Sequence, residues 1–167
     1  NGFPYIPGKT IKGILRESYE EIAELINNGI DNTEIYFGKS KESEKSKTNG
    51  SYQTGKFIFS TAYLKKDIID EIEKLSDQDR KFVIGEIGYV IPRITIDKET
   101  YRAEDKQLAF IELGRKGIEF IAEITKLDTS DFTKDEIDVL NYCAGYTKRI
   151  GGLRTRGKGK CRIILNF

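Results

Sequence analysis

The sequence predicts an α+β domain of the split βαβ type. Three observations carry that expectation. Ile11, Leu15, Tyr19, Ile22 and Ile26 recur at helical spacing. Ile118, Phe120, Ala122 and Ile124 alternate with polar or outward positions, as a strand does. Thr133-Lys-Asp-Glu136 is a capping box ahead of Ile137 and Leu140, which opens a second helix.

Taken in order, Phe3 to Lys9 reads as a tight loop, punctuated by Pro4, Pro7 and Gly8. Thr10 is the expected N-cap of a helix over 10–28, which Asn27-Asn28-Gly29 would end. Residues 38–55 are rich in Lys, Ser, Glu and Gly and are expected to form a mobile polar loop. Lys56 to Tyr63 reads as a strand with Phe57 and Phe59 on one face. Asp67 to Leu75 reads as a short amphipathic helix. Residues 82–112 read as an inserted arm: Val90 to Asp97 alternates, but Pro92 confines it to an edge or a free-standing hairpin. The second helix covers 134–147, a Gly-rich basic loop covers 148–159, and Cys161 to Phe167 reads as a closing strand.

The order is helix, strand, insertion, strand, helix, strand. One more strand in front would make it βαββαβ, the ferredoxin-like (RRM-like) arrangement with an inserted β-hairpin arm. That first strand is expected to be missing from this chain. It would be central in the sheet, so its loss would leave two neighbours unpaired. The chain contains no Met and opens on Asn1, which points the same way. No linker divides the sequence, and 1–167 reads as a single domain.

Composition narrows the chemistry. The chain has 167 residues, 38% of them hydrophobic and 33% charged, within the range of a soluble globular protein. Histidine is absent, which removes imidazole bases, Ser-His and Cys-His pairs, and His-ligated metals. Cys143 and Cys161 give no disulfide framework and no zinc spacing, so a reducing, cytoplasmic setting is expected. No apolar run is long enough to span a bilayer, and no membrane partner is expected.

The net charge of +1 conceals an asymmetry. Lys148, Arg149, Arg154, Arg156, Lys158, Lys160 and Arg162 place seven cations in 15 residues with no acid among them. The remainder carries 21 basic and 27 acidic residues. Focused positive charge attracts polyanions. The opposite pole, Glu17 to Tyr36, contains six acids and no Lys or Arg, and reads as a solvated helix face.

Two segments stand out as sites. In the first, Gly151, Gly152, Arg154, Thr155, Arg156, Gly157 and Lys158 combine close backbone approach with forked and point-charge donors. The segment follows a helix and precedes a strand, so it is neither a P-loop nor a dinucleotide fingerprint. Composition leaves two readings open: a loop for nucleic-acid phosphates, or a helix C-cap followed by a solvated basic turn. In the second, Gly8, Lys9 and Thr10 sit at a helix N-terminus, with Lys12 and Arg16 one turn apart on one face. An ordinary capped helix explains these residues equally well.

Together the segments acquire a family likeness. Pro4-Tyr-Ile-Pro-Gly-Lys-Thr-Ile-Lys-Gly-Ile-Leu-Arg16 resembles the IPG motif of the RAMP superfamily of CRISPR-associated proteins. Gly151 to Lys160 resembles that superfamily's C-terminal glycine-rich loop. Tyr36-Phe37-Gly38, then Gly55 to Ser60, resembles a segment of the backbone subunits of type III effector complexes. Arg93 to Lys98, with Thr100, Ala103 and Glu104, resembles their arm, and Ile111-Glu112 with Gly117 and Phe120 the strand after it. Thr61 stands where the family often has Asp, and Lys98 where Arg is usual.

The resemblance implies a subunit that holds guide RNA by its backbone, stacks with other RAMP-type subunits, and wedges a β-hairpin into the guide–target duplex. Guide RNA, target RNA and sister subunits are the implied partners, for antiviral defence. The implied RNA contacts are Gly8, Lys9, Thr10, Lys12, Arg16, Arg93, Lys98 and the loop residues 151, 152 and 154–158, with Tyr101 a further candidate on the arm. No cofactor is implied; Mg²⁺ enters only if target RNA is cleaved. The catalytic Asp of target-cleaving members precedes the IPG motif, so none is assigned.

Two other readings compete. Asp31, Asp97, Glu104 and Asp105 would hold the metal of an endoribonuclease, although their spacing is not diagnostic. The Gly-rich loop would alternatively form a closed pocket for a small phosphate ligand. The aromatics Tyr36, Phe37, Tyr52, Phe57, Phe59 and Tyr63 either stack bases or, for the alternating Phe57 and Phe59, fill the core.

Overall fold

The structure, a computed structural model, describes residues 2–26, 32–39, 54–96 and 100–167. Tyr52, Asp31, the 98 position and most of the 38–55 stretch lie outside those residues. The chain divides into two compact units. One comprises residues 5–62 and 122–167, the other 1–4 and 63–121. The architecture is α+β, with small antiparallel sheets and helices.

The first unit is built on helix α1, Gly8–Ile26. It starts two residues earlier than the sequence suggested. Thr10 is not the N-cap: the Thr10 and Ile11 N–H groups both donate to the Pro7 carbonyl, at 2.8 and 3.2 Å. What permits the early start is Gly8. A Cβ there would lie 2.2 Å from the Phe59 carbonyl oxygen and 2.8 Å from that of Ser60. The helix therefore begins in direct contact with backbone, and only glycine leaves room.

From that seat α1 turns one apolar stripe inward. Leu15, Tyr19, Ile22 and Ala23 pack with Val139, Leu140 and Cys143 of helix α5, Lys134–Tyr146. The short helix α2, Thr33–Phe37, and strand β2, Phe57–Phe59, complete this core. Tyr19, Phe57, Leu15 and Leu140 are fully buried, each contributing about 1.5–3 kcal/mol. Tyr36 stacks on Phe57 at 5.2 Å, and the edge of Phe37 meets Phe57 at 5.9 Å. Phe37 and Phe57 belong to the core rather than to a base-stacking surface, and Tyr36 and Phe59 pack against it.

One polar link also joins α1 to the end of α5. The Thr147 hydroxyl donates to the Cys143 carbonyl, so the buried Ser18 hydroxyl is the donor in its 2.7 Å bond to Thr147. Cys143 itself is buried, and desolvation pushes its thiol up to about 12, which makes it inert.

The expected strands at 56–63 and 117–124 are each divided. β2 pairs with β7, Ile124–Lys126, in the first unit. β3, Ala62–Leu64, pairs with β6, Phe120–Ile121, through Tyr63 and Leu64. The two ladders belong to different sheets. Ser60 sits at the break, its N–H donating to the Glu123 carbonyl and its Oγ accepting from the Glu123 N–H. The sequence alternates straight through the break, which is why periodicity missed it.

The closing strand is not observed. Residues 161–167 alternate in burial, with Ile163 and Leu165 against the core and Arg162 and Ile164 exposed. Among the described residues, however, this segment joins no strand ladder. A two-residue strand, β1, spans Tyr5–Ile6.

In the second unit, α3, Lys66–Glu73, matches the expected short helix. It is followed by α4, Asp77–Ile87, whose N-cap Ser76 accepts from the Asp79 N–H. Strands β4, Gly88–Ile96, and β5, Ala103–Gly114, then form a two-stranded antiparallel ladder with a register shift between Ile94 and Ile96. Arg115 closes its base, donating its N–H to the Ile87 carbonyl and its guanidinium to Glu86.

The capping box is present as expected, and Glu136 does more than cap. Its side chain accepts from the Thr133 N–H and pairs with Lys126 at 2.9 Å and Lys56 at 3.2 Å. Lys126 and Glu136 are each only 4% exposed. Burial pushes the carboxyl up, but the Thr133 N–H and the two ammonium groups outweigh it and hold the group down at about 2. A depressed carboxyl stabilises the fold above its ordinary value and loses that contribution as pH falls through its folded value. Here the window runs from 4.5 down to about 2.

Two stability predictions follow from this packing. Glu136→Gln should cost about 3 kcal/mol at pH 7, because it strands Lys126 without a counter-charge. Urea titrations should show the gap to wild type closing between pH 4.5 and about 2. Along α1, Gly8→Ala should lower the melting temperature through backbone collision, whereas Gly13→Ala, whose new Cβ meets nothing within 4 Å, should stabilise by about 0.5–1 kcal/mol. Equal effects at the two positions would refute the close-approach account.

Candidate nucleic-acid interface

The basic loop of the first unit is a closed, braced structure. Its base is held by an antiparallel bridge between Arg149 and Lys160, with the Ile150 N–H donating to Gly159 O and the Cys161 N–H to Lys148 O. Gly159 has φ +70°, and a Cβ there would overlap the Ile150 carbonyl at 1.8 Å, so this closure requires glycine. Inside, Arg154–Arg156 forms one 3₁₀ turn ended by Gly157 in the left-handed region. The Arg156 and Lys158 N–H groups both donate to Leu153 O. Arg149 donates from Nη1 to Arg154 O at 3.0 Å.

The loop's cations therefore fall into two groups. Arg149 braces the loop backbone, and Arg154 reaches α1, where its two terminal nitrogens donate to the two oxygens of Glu17 at 2.6 and 3.1 Å. That pair raises the already high Arg154 pKa. Arg156 and Lys158 are exposed and, among the described residues, have no carboxylate within ion-pair distance. Thr155, Gly151 and Gly152 are likewise exposed, and space around the two glycines is open.

The first two turns of α1 carry Lys9, exposed, and Lys12, half-buried, with no acid in the first turn. Cations there oppose the helix dipole, and an adjacent anion would relieve that repulsion. Burial, and then the neighbouring Arg16, hold the Lys12 ammonium below its ordinary pKa. Arg16 is engaged elsewhere: Nε donates to Glu20 at 2.7 Å and Nη1 to Gly38 O at 3.0 Å. It ties α1 to the residue after α2. Gly8 is buried against β2, and Thr10 lies half-buried in the first turn.

The structure thus brings the loop onto α1, through Arg154 and Glu17. Sequence reading paired the two segments but missed Glu17, which lies 137 residues from its partner and looked like the first acid of a solvated face. Arg93 lies exposed on β4 of the second unit, opposite Ala109, and Tyr101 is exposed. Lys98 lies outside the described residues. Val90, Pro92 and Ile94 alternate with the Arg93 side and face Glu112, Phe110 and Leu108. Val90, Ile94, Leu108 and Phe110 are all more than half exposed, so that face of the hairpin is open and apolar apart from Glu112.

Beside the loop lies a solvent-open cleft of about 220 Å³ whose walls include Glu17 and Glu21. Lys148, Arg149 and Arg154 share those walls, and the cleft is open to solvent rather than the closed pocket expected for a small phosphate ligand. Among the described residues, no group of three or more His, Cys, Asp or Glu is arranged to hold a metal ion. Asp31 and Asp97 lie outside those residues, and the side chains of Glu104 and Asp105 are not described. Among the described residues, no helix is long and apolar enough to cross a membrane.

Comparison with known proteins agrees with the motifs. One chain of a solved structure, "Cryo-EM structure of the Type III-B Cmr-beta bound to cognate target RNA", has a TM-score of 0.59 at 13% identity. The match covers 94% of this chain and 82% of that one, and it shows a shared fold. No curated protein sequence matches. A family model described as the RAMP superfamily matches residues 1–162. The chain belongs to the RAMP superfamily.

Proposed function

We propose that this chain is a subunit of a type III CRISPR effector complex that grips guide RNA by its backbone and positions target RNA beside it. The observation that carries this reading is the braced Gly-rich loop, which presents Arg156 and Lys158 without carboxylate partners. A grip indifferent to sequence needs phosphate contacts from cations and backbone N–H groups rather than base-edge readers. Lys9 and Lys12, on the first two turns of α1 in the same unit, add further cations for phosphate contact.

The β4–β5 hairpin fits the other half of the task. A two-stranded ribbon with an open apolar face suits insertion among bases, where Phe110 and Ile94 would replace stacking partners. Arg93 is exposed on the ribbon and is placed to meet a phosphate. Sister subunits and target RNA are the partners this reading requires. The family membership and the fold shared with a Cmr-beta chain support it.

The test is binding to a ~40-nucleotide single-stranded RNA of arbitrary sequence across a salt series. Arg156→Ala with Lys158→Ala should reduce the slope of log K against log salt by about 1.4, for two lost single-strand contacts. Lys65→Ala, which removes an ion pair with Glu119 in the second unit, should leave the slope unchanged. Shallow, length-independent binding by the wild type would reject the RNA-grip reading.

A further inference from the structure

We infer that Glu17 is a positioning residue for RNA binding: its two-pronged pair with Arg154 latches the 149–160 loop onto α1, so that Arg156 and Lys158 meet phosphate and Arg154 does not. The inference rests on the RNA-binding function proposed above. Its basis is the geometry of the loop and the distribution of its cations.

Arg154 is committed on both sides. Its guanidinium faces Glu17 through two parallel hydrogen bonds, the geometry a planar fork and a carboxylate share. Its carbonyl accepts from Arg149 and from the Gly157 N–H. The 3₁₀ turn is therefore fixed at its first residue. Two residues later, Arg156 projects from the same turn with no carboxylate partner among the described residues. The neighbouring acid on α1, Glu21, also acts on the charge of Arg154, but the two-pronged contact is made by Glu17.

Ion pairs with side chains this exposed, 39% and 47%, ordinarily contribute little to stability. The effect of this one is local. Without it, a glycine-rich segment with four glycines between 151 and 159 gains conformational freedom that RNA binding must remove again. The latch lowers that entropic cost in advance, as preorganisation does in any binding loop.

The idea makes a prediction of unusual sign. A carboxylate beside a polyanion's site repels it, so on charge alone Glu17→Gln should tighten RNA binding. A latch predicts the reverse. Binding of the same ~40-nucleotide RNA should weaken about fivefold in Glu17→Gln, with the salt slope unchanged because no phosphate contact is lost. Arg154→Ala should behave the same way, whereas Arg156→Ala should lower the slope by about 0.7. The exchanged pair Glu17→Arg with Arg154→Glu should recover wild-type affinity within about twofold.

Hydrogen–deuterium exchange of the intact chain reads the latch without RNA. Amides of 150–158 should exchange about threefold faster in Glu17→Gln and return to wild-type rates in the exchanged pair. Unchanged exchange would overturn the latch even if RNA binds well. Tighter RNA binding by Glu17→Gln, or a slope loss in Arg154→Ala, would overturn the division between latch and contact. Absence of RNA binding by the wild type would reject the proposed function instead, with the exchange data still deciding whether Glu17 holds the loop.

Discussion

Helix α1 meets the backbone of β2 with nothing between them, and most of the first unit is arranged by that contact. Gly8 brings the first turn against the carbonyls of Phe59 and Ser60. The rest of the helix then has fixed azimuth and height. Leu15, Tyr19 and Ile22 must face α5, Arg16 must face Gly38, and Glu17 must face the loop that follows α5. A side chain at position 8 would not merely lose packing; it would push the helix away from every partner at once. Close packing makes such a displacement costly, because interiors adjust only by small increments.

The charges divide along the same lines. The buried Lys126–Glu136 pair, with Lys56 at its edge, joins β7 to the first turn of α5 and has no access to a large polyanion. Arg16, Arg149 and Arg154 are also committed, each to an oxygen of the protein. Arginine suits these places, since its fork reaches two acceptors and keeps its charge at any accessible pH. Lys9, Lys12, Arg156 and Lys158 have no ion pair among the described residues, the first two on the opening turns of α1 and the last two on the loop. A count of cations, seven in 15 residues, could not separate these classes.

What the sequence made legible was local. The periods of α1 and α5 stood out because each helix buries one stripe, and the capping box stood out because both its halves lie within four residues. The hairpin was legible from the alternation on either side of Pro92. What failed was tertiary. The break between β2 and β3 at Ser60 and Thr61 ends one pairing without changing alternation, so no pattern marks it. The start of α1 was misplaced because Thr10 is a good cap by chemistry, while the deciding contact lies about fifty residues away at Phe59. Residues 161–167 alternate as a strand should, yet a ladder needs a neighbour, and alternation says nothing about who the neighbour is. In the candidate site, the loop's composition was visible, but its internal commitments were not.

The difference between a basic loop and a grip lies in order before contact. A flexible cationic segment can bind RNA, but each long side chain and each glycine must then be immobilised by the binding event. Here the bridge between Arg149 and Lys160, the closure at Gly159, the 3₁₀ turn and the pair with Glu17 act on successive stretches of the same twelve residues. The brace at the base works through backbone, and the pair with Glu17 works through a short two-pronged contact. Neither meets phosphate, so both act on how well the loop is ordered and leave the count of phosphate contacts to Arg156 and Lys158. Order and charge are thus assigned to different side chains of one loop, and only the charge that faces the ligand sets how its binding responds to ionic strength.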